Sequence, residues 1–463
     1  MGRGYLLLAL LLVLGCSPRE ELSVGFTRVP VIVDRDIAVA RIEAPPDVSF
    51  SFSQRGLPKG ALRSVFVRDS LLWVNLDGER ISDMTRTFTL DVGARGYRTE
   101  YSGERELRPA RAVRDASFDG VAAYRIPGLV TTGDGTLVAC YDIRHRSSRD
   151  LQGDIDIGVS RSLDGGRTWE GMIVAMDMGQ WGGLPEEQNG VGDPCILLDE
   201  GTGDLLLFAA WVHGKPGDLA WWTAGDGLSP EDTPQLLMSR SRDNGLSWSE
   251  PTSLTSQVKR PEWRFSFQGP GRGITMEDGT LVLPFQHQEP DRTPASGIIY
   301  SRDHGETWNI HESAKANTTE SQVVELSPGV LMLNMRDNRG TGRAVYTTSD
   351  MGRTWVAHPS DGTLPEPVCM ASLLKVPAGR NALGKDILLF SNPASSTSRK
   401  DIRIRLSTDA GLSWSEGVLL DEGEGWGYSC LTMVDDETVG ILYESSQAHM
   451  TFQTVSLGEL AKE

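Results

Sequence analysis

Five copies of one eight-residue pattern, Ser/Thr-x-Asp-x-Gly-x-Ser/Thr-Trp, constrain this chain more than any other feature. They occupy Ser162–Trp169, Ser241–Trp248, Ser301–Trp308, Thr348–Trp355 and Ser407–Trp414. A recurring unit makes the fold an array of similar supersecondary pieces. The Asp side chain accepts from backbone N–H groups just downstream and the Gly tolerates positive φ, so Asp-x-Gly builds a tight turn. Residues ahead of the first copy alternate as a strand does, from Ile155 to Ser160. The Trp opens the return strand with a large apolar wedge. Each copy is therefore read as one β-hairpin. Turn chemistry accounts for every box residue. A calcium loop would need Asp-x-Asp-x-Asp-Gly with a distal Glu, and none is present.

The surroundings of the boxes extend this reading. The 463 residues include 51 glycines, and Gly, Asp, Ser and Pro recur at short spacing, which favours an all-β protein. From about Val113 onward, strand and turn signals repeat to the end. At roughly 50–60 residues per blade this gives a six-bladed β-propeller over residues 110–463. One blade then lacks a box, being degenerate or closed from both chain ends. The longest interruption is 176–235. Residues 26–108 alternate without a box and are expected to form a separate small β-sandwich, preceded by a polar linker over 17–25. Its expected role is packing, with weak carbohydrate binding. The net charge of -18 argues against nucleic acid as a partner. An anionic ligand is still compatible, because a few arginines focused in a pocket dominate the local field.

Arg3 followed by the apolar run Leu6–Leu14 reads as a signal peptide over residues 1–15, too short to span a bilayer. The end of that run, Leu14-Gly15-Cys16-Ser17, resembles the bacterial lipoprotein box. The resemblance implies lipidation of Cys16 and an exported protein anchored to a membrane, at the outer membrane, periplasm or cell surface, without spanning it. Cys140, Cys195, Cys369 and Cys430 have no metal-ligand spacing and are expected as buried free thiols.

Chemistry must come from a site rather than from the repeats. Five further segments supply one: Tyr124-Arg125-Ile126-Pro127-Gly128, Asn317–Gln322 with Glu320, Met335–Arg339 with Arg336, Ser391-Asn392-Pro393 followed by Arg399, and Gly425–Cys430 with Tyr428. With these motifs in this order, residues 110–455 closely resemble the exo-α-sialidases, the retaining neuraminidase family marked by Arg-Ile-Pro and Asp-box motifs. The leader and small domain resemble those of sialidases exported by Bacteroidetes-type bacteria. The resemblance implies release of terminal α-ketosidically linked sialic acid from glycoproteins, oligosaccharides and gangliosides, with no metal and no organic cofactor.

Residue by residue, it implies that Arg125, Arg336 and Arg399 bind the substrate carboxylate, for which converging guanidinium groups are chemically suited. Tyr428 matches the nucleophile, a departure from the two-carboxylate scheme of most glycosidases. A carboxylate nucleophile would meet the like charge of the substrate, and a phenol does not. Glu320 matches the base that takes the phenol proton. Asp150 matches the general acid/base, with Asp142, Asp154 and Asp156 as nearby competitors. Arg144 matches an arginine bordering the sugar. Arg146 and Arg149 depart from the family pattern, and added positive charge there is expected to lower the Asp150 pKa. Trp181, Trp221, Trp222, Trp263 and Phe265 are candidate walls for the aglycone or N-acetyl pocket, or structural aromatics. Two alternatives share the arginines: a lectin or adhesin without turnover, and an intramolecular trans-sialidase.

Overall fold

The computed structural model describes residues 111–115, 120–214, 219–446 and 448–462 in full, and the backbone alone of strands between residues 19 and 110. The expected leader, Cys16 and the packing of strands into a sandwich lie outside the described residues. The chain divides into two units, residues 1–113 with 446–453, and 114–445 with 454–463.

In the first unit, Arg19–Val24, Thr27–Asp34, Ile37–Glu43, Leu71–Asp77 and Leu62–Arg68 follow one another as antiparallel neighbours. Ser51–Arg55 pairs with Thr89–Gly93. Residues 19–24 were expected in a linker and instead pair as a strand. The stretch Leu22-Ser23-Val24 faces Val29, Arg28 and Thr27 in register.

The second unit is built on a six-bladed β-propeller. The first blade runs Ala123–Thr131, Leu137–Arg144, Ile155–Ser162 and Ile173–Met176, each antiparallel to the last. The second, fourth and fifth blades repeat this from Val191–Leu198, Thr318–Ser327 and Ser372–Val376 as innermost strands. In the third blade, short strands at Ser266–Gln268 and Ile274–Thr275 pair with Leu281–Gln288 in place of one long inner strand. The sixth starts with Ser429–Met433 and Thr438–Tyr443. After Met450–Ser456 its chain enters the short helix Leu457–Leu460 instead of a box turn, which explains five boxes in six blades.

Every box closes the same turn between the third and fourth strands of its blade. In the first, Ser162 donates to Asp164 Oδ1 at 2.9 Å, while the N–H of Gly166 donates to Ser162 Oγ at 2.8 Å. The N–H and hydroxyl of Thr168 donate to the two Asp164 oxygens at 2.9 and 2.6 Å. The box glycines lie at φ of 83–85°, and the residue before each is also left-handed: Gly165, Asn244, His304, Met351 and Ala410. The core lies between blades rather than at one centre. Val130, Val138, Ile196 and Leu207 join the first two, and Leu389, Ile404, Leu431 and Ile441 join the fifth and sixth. Second strands are therefore buried on both faces. Leu137–Arg144 is buried at all eight positions, so it carries no alternation to read. No helix among the described residues is long and apolar enough to cross a membrane.

Candidate active site

The first residues of the inner strands approach one another at one end of the propeller. Arg125 is the third residue of Ala123–Thr131, where a bulge interrupts the ladder between Arg125 and Gly128. Ile126 sits in the bulge at φ 63°, a costly conformation for a β-branched side chain. Glu444 holds the knot. Its buried carboxylate accepts from Arg125 Nε at 2.6 Å and Nη2 at 3.3 Å, and from the backbone N–H of Ile126 at 2.8 Å and of Tyr428 at 3.3 Å. Sequence reading missed Glu444, because nothing in Tyr443-Glu444-Ser445 marks it apart from its place at a strand end.

Tyr428 follows Gly427, which is left-handed at φ 84° and closely packed against Pro393, Arg399 and Cys369. The phenol donates to Glu320, and Arg336 Nη1 donates both to Glu320 Oε2 at 2.6 Å and to the Tyr428 oxygen at 3.1 Å. The guanidinium carbons of Arg125 and Arg399 stand 5.4 and 5.7 Å from the Tyr428 ring centroid. The three arginines expected to act together thus surround one tyrosine. Arg399 differs from the other two in its partners. It donates to the carbonyls of Trp426 at 3.1 Å and Val368 at 3.3 Å, and Val368 is itself left-handed at φ 52°. Burial pushes the Tyr428 pKa well up, and the Glu320 charge adds to this, against the pull of Arg336 and Arg399. The phenol is therefore neutral until Glu320 takes its proton.

Asp150 lies on the loop after Leu137–Arg144, with its side chain 68% exposed and Oδ1 accepting from Arg144 Nη1 at 2.6 Å. Surrounding protein pushes its pKa up, but Arg144, Arg125 and Arg399 outweigh this and hold it below the usual carboxylate range. Arg146 and Arg149, the expected sources of positive charge, are not among these causes. Arg146 pairs with Asp154 at 3.2 Å. Asp156 pairs with His145 at 2.8 Å.

The remaining competitor, Asp142, has a different place. It is buried behind Arg144, accepting from Nε at 3.0 Å and Nη2 at 2.7 Å, and from the backbone N–H of Asp193 at 2.9 Å. Burial raises its pKa to about 6 against the pull of Arg144. Asp193, left-handed at φ 59°, has its pKa pushed well up by desolvation and by the neighbouring Asp142. Asp142 fixes Arg144 from behind. Asp193 was also missed, and its only sequence cue is Gly192-Asp193-Pro194, which reads as an ordinary turn.

The aromatic candidates separate by burial. Trp263 is buried and stacks on His287 at 3.6 Å between centroids. Phe265 is buried against Phe267 and Trp221. Trp222 is 62% exposed, on a short helix whose Ala220 N–H donates to the carbonyl of Leu151, next to Asp150. Trp181 packs on Trp211 and His213. The four cysteines after Cys16 are all buried and free.

This set is shaped to receive an anion at the arginines beside an acid and a phenol–carboxylate pair. Residues 135–442 match the family of BNR repeat-like domains. A sialidase of Bacteroides fragilis is 49% identical over 414 residues, which are 86% of this chain and 75% of that protein. A sialidase of Micromonospora viridifaciens is 35% identical over 339 residues, 70% of this chain and 50% of its own length. Among solved structures, a Hadza microbial sialidase aligns with a TM-score of 0.76 at 53% identity, over 84% of this chain and 77% of that one.

Proposed function

Because this chain belongs to the sialidase family and is a glycoside hydrolase, we propose that it releases terminal α-linked sialic acid with retained configuration, through a covalent intermediate on Tyr428. The observation that carries this reading is the Tyr428–Glu320 hydrogen bond, with Arg336 bonded to both partners. A phenol with a raised pKa is a poor nucleophile until a base removes its proton in the attack. Glu320 is in contact to do so.

In the first step Arg125, Arg336 and Arg399 hold the substrate carboxylate. Asp150 gives its proton to the glycosidic oxygen as that bond to the anomeric carbon breaks. The Tyr428 oxygen bonds to the same carbon and its proton passes to Glu320. In the second step Asp150, now a carboxylate, takes a proton from water. The water oxygen displaces Tyr428, which recovers its proton from Glu320. Two inversions leave the configuration unchanged. Arg144 lowers the Asp150 pKa in the free site. A substrate carboxylate neutralising the nearby arginines would raise it, favouring the acid form when substrate is bound. A lectin would need none of Tyr428, Glu320 or Asp150, and all three stand at this site.

The substrates on this reading are sialylated glycoproteins, oligosaccharides and gangliosides. Lipidation of Cys16 would tether the enzyme to a membrane. Loss of labelled lipid from Cys16→Ala would support the anchor, and unchanged labelling would refute it. The mechanism is tested by hydrolysis of a fluorogenic α-sialoside. Tyr428→Phe is expected to lower kcat on the order of 10³-fold or more with little loss of stability. NMR of the first product should show the α anomer. The β anomer appearing first would refute retention, and an anhydro sugar would point to the intramolecular trans-sialidase.

A further inference from the structure

Arg336 and Arg399 are tied to each other from behind by a charge pair that the mechanism does not use. Arg343 and Glu366 pair at 2.7 Å with both side chains fully buried. Arg343 stands just before Ala344–Thr348, the third strand of the fourth blade. Gly342 ahead of it is left-handed at φ 106°, and a Cβ there would lie 2.7 Å from the Gly362 carbonyl and 2.9 Å from that of Leu364. This glycine lets the two backbones close on each other. The Arg343 N–H donates to the Leu364 carbonyl at 2.9 Å, and the Gly362 N–H donates to the Arg343 carbonyl at 2.8 Å. Glu366 follows on the segment that crosses from the fourth blade to the fifth.

The guanidinium fork of Arg343 grips two stretches of chain. Nε donates to the Asn334 side-chain oxygen at 2.7 Å and Nη2 to the Asn334 carbonyl at 3.2 Å. Nη1 donates to Glu366 Oε2 and to the Cys369 carbonyl, each at 2.7 Å. The other Glu366 oxygen accepts from the backbone N–H of Asp337 at 2.9 Å. Asn334 and Asp337 bracket Arg336 on its strand, Val330–Asp337. Cys369 follows Val368, whose carbonyl accepts from Arg399 at 3.3 Å. Cys369 Sγ also lies 3.6 Å from the Trp426 carbonyl, the other acceptor of Arg399. The pair therefore holds the strand that carries Arg336 on one side and the loop that seats Arg399 on the other.

A buried ion pair seldom repays the desolvation of both charges, and well-packed apolar residues of similar volume often serve stability as well. Apolar residues cannot fix two backbones at once through directed bonds, whereas a rigid guanidinium fork and a carboxylate can. We propose that Arg343 is a positioning residue that, with Glu366, sets the spacing between Arg336 and Arg399 and so the width of the seat for the substrate carboxylate. This role rests on the sialidase reading, in which both arginines hold that carboxylate.

Binding of sialic acid and of its methyl ester to the full chain tests the role, because the two ligands share the sugar and only the acid offers a carboxylate. Arg343→Lys keeps the charge and loses the fork. It should weaken binding of the acid about tenfold and leave the ester close to its parent affinity, and it should raise KM for the fluorogenic sialoside more than it lowers kcat. In an Arg399→Ala background most of that effect should vanish, since a positioning residue acts through the group it places. An unchanged preference for the acid in folded Arg343→Lys, or an equal loss in both backgrounds, would overturn the proposal. Glu366→Gln keeps the volume and an acceptor for the Asp337 N–H, and it should give the same pattern if Arg343→Lys does not fold. A parent that binds neither ligand would count against the sialidase reading itself. The distance between the Arg336 and Arg399 guanidinium groups in crystals of parent and variant then decides alone, and a shift under about 0.5 Å would overturn the role of Arg343.

Discussion

At the scale of single residues, the site is held by charges placed one layer behind the groups that meet substrate. Glu444 supports Arg125, and Asp142 supports Arg144, in both cases as an acceptor for a buried guanidinium. Backbone strain collects in the same place, at Ile126, Asp193 and Val368. Each strained residue costs about 1–3 kcal/mol and persists only where surrounding contacts over-determine it. Glu444→Gln removes the charge that answers Arg125 and should cost about 3 kcal/mol of stability, read by urea unfolding. It should also raise KM for an α-sialoside more than it lowers kcat. An unchanged KM would mean that Arg125 keeps its aim without Glu444. The acid has its own signature. Asp150 must carry a proton to act, and Arg144 favours the unprotonated form. Arg144→Met should therefore move the high-pH limb of kcat/KM upward by about one unit, whereas Arg144→Lys should leave it close to the parent position. A limb that stays in place in the Met variant would show that Arg125 and Arg399 set the Asp150 pKa. Glu444 and Asp193 were not legible beforehand, and Asp142 was read only as a competitor to Asp150, because their meaning lies in partners and not in flanking residues. Arg125, Tyr428 and Glu320 were legible because each sits in a distinctive local motif.

At the scale of elements, the box turn is a self-contained device. Its side-chain bonds span two to four residues, so the whole turn is specified by contiguous sequence. That is why the repeats could be read as hairpins without tertiary information. The paired left-handed residues were half legible: glycine marked the second position, but Met351 and Ala410 occupy the first without announcing it. An L-residue there costs about 1–2 kcal/mol, and glycine's extra freedom in the unfolded chain takes back roughly 0.5–1 kcal/mol. Ala410→Gly should therefore be neutral to stabilising by up to about 1 kcal/mol. Gly411→Ala, at φ 84°, should destabilise by about 1–2 kcal/mol. Melting midpoints of the two variants should move apart. Equal shifts of the same sign would contradict the left-handed geometry. The second strands were the least legible elements. Leu137–Arg144 is covered on both faces, so its sequence is a nearly continuous apolar run that ends in two charges.

At the scale of the whole molecule, the propeller closes by packing each blade on the next, and its stability is shared around the ring. Leu389 is fully buried between the fifth and sixth blades, and it lies outside the catalytic set. Leu389→Ala should cost about 2–5 kcal/mol. Loss of hydrolysis and the change in tryptophan fluorescence should then coincide during denaturation, at a lower midpoint than in the parent. Separate transitions would mean that blades unfold independently. By itself the sequence determined the repeated hairpin, the all-β class and the number of blades, which follow from turn chemistry and spacing, local properties of the chain. The family was legible through the resemblance of its motifs to those of known sialidases. Only the tertiary structure decided what meets what. Glu444 reaches Arg125 across 319 residues and Glu320 reaches Tyr428 across 108, because ring closure brings the first residues of distant inner strands to one axis. The contact of Asp193 with Asp142 across 51 residues was decided there too, since it is a property of the packed ring rather than of any segment within it.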